Sequence, residues 1–281
     1  MRGSRCYALT LNNGKGIKHM QLTAQELEQF EEQGYVFRPS TFSEDEVNVL
    51  KQGARDVYAM QRQEVWREKS GAPRTAFAAH TYHDAFHALG AHPRLLTPIE
   101  QILEEKVYMH QFKVNAKAAF EGDVWQWHQD YGTWARDDGM PEARAMNISV
   151  FIDDVLPING PLMLIPGSHK KGVFDAGHDL ETTSYPLWTL DQKTVTELAE
   201  EGGIVAPTGP AGSMLLFHGN LVHASPPNIT PYPRTIVYLT LCAVSNHITK
   251  FKREEFIAHR NFDPIEALAD DALEKLAKAV A

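Results

Sequence analysis

Val107-Tyr-Met-His-Gln-Phe-Lys-Val-Asn-Ala-Lys117 is the stretch on which the fold turns. Side chains of a strand alternate between two faces. The segment therefore divides into an apolar face, Tyr108, His110, Phe112, Val114 and Ala116, and a polar one, Gln111, Lys113, Asn115 and Lys117. A solvated polar face is the ordinary reading of such a strand. The alternative is a barrel interior lined by ligand-binding polar groups, with helices covering the apolar outside. The expected strand at Met146–Ile152 carries a similar stripe, Asn147 and Ser149, and two such strands beside a candidate metal motif favour the interior reading.

Outward from this strand, further strands are expected at Tyr35–Phe37, Leu162–Ile165, Ser213–Phe217 and Arg234–Ala243, separated by Gly, Pro and Asn clusters. Asn159-Gly160 reads as a hairpin-type turn. Two capping boxes, Thr23-Ala-Gln-Glu26 and Ser43-Glu-Asp-Glu46, start helices in the N-terminal part, because hydroxyl and carboxylate satisfy free amide donors reciprocally. A third helix is expected from Pro93, burying Leu96, Ile99, Ile102 and Leu103. A last amphipathic helix is expected from Pro264, with Ile265, Leu268, Ala272, Leu276 and Val280 on one side. Helices flanking a run of short strands give an α+β fold with a barrel or double-sheet core. Residues 1–19 show neither periodicity nor the apolar core of a secretion signal. They read as a leader, disordered or foreign to the native protein, ahead of a single domain over residues 20–281.

The 281 residues are 43% hydrophobic and 22% charged, with a net charge of −9. Such acidity disfavours nucleic acid, whose phosphates require a basic surface. The longest nearly apolar stretch, Ile236 to Val244, is too short to cross a bilayer, so no membrane partner is expected. Cys6 and Cys242 lie too far apart in sequence to suggest a disulfide framework, and a reducing cytoplasm fits best.

Chemistry concentrates in Trp127-His128-Gln129-Asp130. In extended chain His128 and Asp130 point the same way, so an imidazole and a carboxylate can converge on one metal. A distant second histidine completes a facial triad that leaves coordination positions open. His223, after the apolar strand at Ser213–Phe217, is the best candidate. Arg234 follows a turn-rich run, Pro226-Pro-Asn-Ile-Thr-Pro-Tyr-Pro233, which allows the chain to reverse and set a guanidinium beside that histidine. Arginine there would pair bidentately with a carboxylate. Taken singly, each residue reads as readily as a hydrogen-bonded strand end or a surface charge. His80, His83 and His87, spaced for one helical face, could suit zinc, but no carboxylate or cysteine joins them, and they read rather as part of a lid or pocket wall.

The order of His128-x-Asp130, Asn159-Gly-Pro-Leu-Met-Leu-Ile-Pro-Gly-Ser-His169, Gly209-x-x-Gly212, His223-x-Ser225 and Arg234 resembles the phytanoyl-CoA dioxygenase superfamily of iron(II)/2-oxoglutarate oxygenases. Within it, Gln111–Lys117, Trp127–Trp134 and Asp138-Gly-Met140 look like ectoine hydroxylase and bacterial proline trans-4-hydroxylase. The resemblance implies a double-stranded β-helix (jelly-roll, cupin-like) core with flanking helices. It also implies iron(II) on His128, Asp130 and His223, and 2-oxoglutarate and dioxygen as cosubstrates. Arg234 and Lys117 would hold 2-oxoglutarate, with Asn115, Ser225 and Ser149 beside them. Gln111, Trp134, Tyr131 and Asn147 would meet the substrate, and relatives suggest a homodimer. Gln129, Tyr131 and Gly132 depart from the His-Ser-Asp-Phe-Glu-Thr-Trp of ectoine enzymes. The expectation is therefore 4-hydroxylation of free L-proline or a close relative, with ectoine 5-hydroxylation as the alternative. An acyl-CoA hydroxylase or a non-catalytic 2-oxoglutarate-binding module stands behind both.

Overall fold

The computed structural model describes residues 20–179 and 186–280. The segment read as a leader, and Cys6 with it, lies outside the described residues. The N-terminal helices are α1 (Ala24–Gln33), α2 (Glu44–Ala59), α3 (Asp84–Gly90) and α4 (Pro93–Leu103). Both expected capping boxes form: Thr23 and Ser43 each accept from the amide three residues on, and Glu26 and Glu46 reach back. Interleaved with the helices are β1 (Tyr35–Arg38), β2 (Val65–Arg67), β3 (Pro73–Phe77) and β4 (Val107–Lys117). After them come β5 (Trp125–His128), a short helical turn α5 (Asp130–Thr133), β6 (Ala145–Phe151), β7 (Met163–Leu164), β8 (Gly177–Asp179) and β9 (Leu187–Thr189). The chain continues with α6 (Gln192–Gly202), β10 (Met214–His218), β11 (His223–Ser225), β12 (Arg234–Ala243) and α7 (Ala272–Val280).

Seven antiparallel strands form one sheet in the order β1-β10-β6-β12-β4-β3-β2, and β5-β11-β7 form a second, smaller sheet. Period-two alternation decides which face each residue takes. On β12, Val237, Leu239, Leu241 and Ala243 enter a large apolar cluster with Phe30, Leu50, Leu95, Ile99 and Leu273 from the helices. Ile236 instead joins Leu164 and Phe217 in a cluster on the inner face. Helices thus cover the outside of the large sheet, and its inner face carries the polar stripes, as the interior reading of β4 anticipates. Each fully buried aliphatic side chain in the outer layer contributes about 1.5–3 kcal/mol, which is why that layer can carry a polar interior.

Three sequence expectations need correction. The alternation of β4 is broken by a bulge: Thr240 pairs with Gln111, but the next residue, Leu241, pairs with Met109. One extra residue in β4 reverses the parity on its N-terminal side. Val107 and Met109 therefore face the helices along with Phe112 and Val114, whereas Tyr108 packs against Trp134 and Cys242 on the other side. Asn159-Gly160 does turn, with Gly160 at φ +81°, but it joins β6 and β7 of different sheets rather than closing a hairpin. The last helix begins at Ala272, not Pro264. The segment before it spends its amides elsewhere: Ile265 donates to the Val107 carbonyl and Leu268 to that of Ala91, pinning extended chain across the helical layer. No described helix is long and apolar enough to cross a membrane.

Candidate active site

β11 pairs antiparallel with β5, and the register sets His223 directly opposite His128. Gln129 is extended (φ −120°, ψ 123°), so the two-residue alternation survives although Asp130 already opens a helical turn. The Gln129 side chain points away and holds this turn to its surroundings, donating to the Asn220 and Gly172 carbonyls and accepting from the Phe174 amide. The Nε2 atoms of His128 and His223 each stand 3.6 Å from a different Asp130 oxygen. These three residues form a possible metal-binding group whose ligand atoms all lie within 4.8 Å of one another, and no other such group occurs among the described residues. Each Nδ1 is engaged by a backbone carbonyl, His128 with Gln126 at 2.6 Å and His223 with Leu221 at 2.9 Å. Those bonds fix the tautomer that leaves Nε2 with its lone pair directed at the shared point. Two imidazoles and a carboxylate on one side of a cleft are a donor set that fits ferrous iron with open positions.

Protonation agrees with ligation. Burial, with His128 beside it, pushes the His223 imidazole down to about 4, so it is neutral near pH 7. Burial works against the Asp130 carboxylate, but the two imidazoles and the Lys113 ammonium hold it well below the usual carboxylate range. Asn147 donates to Asp130 Oδ2 at 2.8 Å and accepts from Thr240 Oγ1 at 2.8 Å. Asn147 was expected at the substrate; its amide is instead committed to orienting the carboxylate.

The triad opens into a narrow cleft of about 50 Å³ between the two sheets, lined among others by Gln111, Lys113, Asn115, Trp134, Ser225, Tyr238 and Arg253. Arg234 is buried behind Ser225, donating through Nε to the Gly160 carbonyl at 3.1 Å and through Nη2 to Ser225 Oγ at 3.1 Å. Gly160 is required there: besides its positive φ, an added Cβ would meet Lys117 Cδ at 2.6 Å and the Pro226 carbonyl at 2.9 Å. Lys117 sits opposite Arg234 in the β4–β12 register, and its amine donates to the carbonyls of Asp123 and Pro226. Burial, reinforced by Arg234 and Arg74, pushes that amine down to about 6. Lys117 therefore backs the cleft wall rather than projecting into it. Ser149 lies on the inner face, and Asn115 lines the cleft with its buried Oδ1 unpartnered.

On the substrate side, Gln111 lines the cleft with its amide donating to the Ile257 carbonyl at 2.9 Å, and Trp134 forms another wall. Tyr131 turns away, its hydroxyl donating to the Pro141 carbonyl at 3.1 Å. Sequence reasoning assigned no role to Lys113, Tyr238 or Arg253. Tyr238 was findable by counting in twos from Arg234, and Lys113 lies between Gln111 and Asn115 on the named polar face. Arg253 sits in an irregular loop with no periodic signal.

His80, His83 and His87 do not share a helical face. A separate turn at Ala79–Thr81 holds His80, His83 precedes α3, and only His87 is within it. They do not line the cleft: His83 stands 3.5 Å from Asp56, while His80 packs on Phe112 and His259. The expected lid or pocket wall is therefore absent from this segment.

Residues 30–236 match the family model described as phytanoyl-CoA dioxygenase. An ectoine dioxygenase of Sphingopyxis alaskensis is 37% identical over 240 residues, spanning 82% of this chain and 78% of that one. An L-proline trans-4-hydroxylase of Streptomyces griseoviridis is 33% identical over 251 residues, spanning 85% and 94% respectively. The crystal structure of EctD from S. alaskensis with 2-oxoglutarate and 5-hydroxyectoine superposes with a TM-score of 0.78 at 33% identity, covering 88% of this chain and 87% of that one. The family model over residues 30–236 and relatives above 30% identity along most of their length lead to one assignment: the chain belongs to the phytanoyl-CoA dioxygenase family.

Proposed function

We propose that the chain is an iron(II)- and 2-oxoglutarate-dependent hydroxylase of ectoine or a closely related small cyclic amino acid. The observation that carries this reading is the convergence of His128, Asp130 and His223 in a cleft that Gln111, Lys113, Trp134 and Arg253 also line. When bound, iron(II) would activate dioxygen, so that one oxygen atom goes into succinate as 2-oxoglutarate loses carbon dioxide and the other is inserted into a C–H bond of the substrate. His128, Asp130 and His223 would hold it. Arg234, kept rigid by Gly160 and Ser225, would take the distal carboxylate of 2-oxoglutarate, with Asn115, Ser149 and Tyr238 around it and Lys117 behind. A fixed guanidinium fork suits a carboxylate better than a flexible amine does. The substrate's own carboxylate would meet Arg253 or Lys113, its ring Trp134 and Gln111. A tryptophan face is favourable for a delocalised cation such as the ring of ectoine. The charged lining of the cleft, with Lys113 and Arg253 near Asp130, suits a compact zwitterion.

Similarity supports ectoine ahead of L-proline, at 37% against 33% identity. One local observation supports proline as the second reading. Gly132 stands where the ectoine pattern carries a glutamate, and the Arg136 guanidinium lies against it, Nη1 being 2.7 Å from where a Cβ would be. The test is succinate formation by anaerobically iron-loaded protein given oxygen, 2-oxoglutarate and, separately, ectoine, L-proline and other free amino acids. Ectoine-stimulated succinate with a product one oxygen atom heavier is the expected result. Stimulation by proline alone moves the assignment to the second reading, and stimulation by neither overturns both.

A further inference from the structure

Asp138 is a carboxylate with no place in the metal cluster, yet it is fully buried. Its two oxygens receive the guanidinium of Arg253 as a fork, Nε to Oδ1 at 2.8 Å and Nη2 to Oδ2. His110, also fully buried, brings Nε2 to 3.3 Å from the same Oδ2. The main-chain carbonyl of Asp138 accepts from the amides of Thr249 and Lys250 at 3.0 and 2.8 Å, so both the loop that carries Arg253 and its side chain are tied to this one residue. The His110 ring stands edge-on to Trp134, with centroids 5.3 Å apart at 78°, and the next residue along β4 is Gln111. The β4 bulge gives both His110 and Gln111 to the inner face. Arg253, Trp134 and Gln111 all line the cleft.

A buried ion pair is a poor source of stability, because desolvation of both charges offsets their attraction. Its value lies in geometry: a fork held at two points cannot swing. We infer that Asp138, backed by His110, is a positioning residue that aims the Arg253 guanidinium at the carboxylate of the substrate. This rests on the reading of the substrate as a small amino acid. Asp138 touches no reacting atom; it acts through Arg253.

The test is a double-mutant cycle of Asp138→Asn, Arg253→Gln and the double variant. KM and kcat are measured with ectoine and L-proline, and calorimetric titration of the same compounds serves as a readout independent of turnover. Asp138→Asn is expected to raise KM and the dissociation constant about 10- to 100-fold with a much smaller change in kcat. The double variant is expected to match Arg253→Gln alone, since Asp138 has nothing left to position. It also removes both buried charges together, so it remains interpretable where a single variant folds poorly. Wild-type KM in folded Asp138→Asn, or additive effects in the cycle, would overturn the inference alone. Wild-type protein that neither binds nor turns over either compound would overturn the substrate reading and this inference with it.

Discussion

Asn147 shows how much of the site depends on residues that never touch a ligand. Its amide bridges Thr240 and Asp130, fixing which carboxylate oxygen faces His223. Residues behind metal ligands commonly contribute 10- to 100-fold to affinity, because they hold the ligand's orientation against thermal freedom. Asn147→Ala is accordingly expected to weaken ferrous or manganous binding by about that factor, and to cost the metal-free protein about 1–3 kcal/mol because the Thr240 hydroxyl and an Asp130 oxygen lose this partner. A metal titration of the folded variant decides it, and wild-type affinity would remove Asn147 from the metal machinery. At this scale the sequence was readable wherever local geometry repeats. His128 and Asp130 are two apart in extended chain, and Gln111 and Asn115 lie on one stripe. It was unreadable where a side chain's partner is remote: nothing in the neighbourhood of Asn147 announces Asp130, and nothing near Asp138 announces Arg253. The amine of Lys117 was likewise unassignable without seeing the carbonyls of Asp123 and Pro226 that receive it.

Elements were legible to the extent that their apolar period was unbroken. β4 runs over the expected residues because Gln111 to Lys117 alternates polar and apolar side chains, and β12 because it is a short, β-branched apolar run bounded by turn residues. The bulge at His110 was invisible, since an inserted residue leaves composition intact and only reverses facing. The C-terminal helix was misjudged at its start because Ile265 and Leu268 fit a helical spacing, although backbone hydrogen bonds to Val107 and Ala91 hold that stretch straight. Where α7 does form, Leu273 is fully buried in the outer cluster, and the helix packs on α2 and α3. Leu273→Ala should cost about 2–5 kcal/mol, read as a lower guanidinium midpoint at unchanged slope. Because the outer cluster lies across the large sheet from the cleft, metal affinity should be untouched. A loss of metal affinity in the folded variant would show that the helical layer and the site are coupled more tightly than this packing implies.

For the molecule as a whole, the double-sheet arrangement followed from asking where two polar stripes could hide in a chain with enough apolar surface to cover them. That arrangement has a consequence for acid stability. The clustering of elements around both faces of the large sheet buries imidazoles outside the metal cluster, and burial dominates their ionisation. It pushes His80 down to about 3, and His92, His218 and His259 to about 4, from an ordinary value of 6.5. Above pH 6.5 neither the folded nor the unfolded chain protonates these groups, and stability is indifferent to them. As pH falls below 6.5 the unfolded chain takes up protons that the folded one refuses until about pH 4, so the unfolded state gains and stability drops. Each such group contributes a slope of about 1.4 kcal/mol per pH unit, and four acting together reach at most about 5.5 kcal/mol per unit, a large part of the margin of a typical domain. The free energy of unfolding, from guanidinium curves between pH 7 and pH 4.5, should therefore fall with a slope of several protons, starting near pH 6.5. The acidic surface supplies no compensation in that window, because most carboxylates of the unfolded chain titrate below it. A flat profile down to pH 5 would mean that these imidazoles gain water or a proton in the folded state and that the layers around the sheet are looser than their burial indicates.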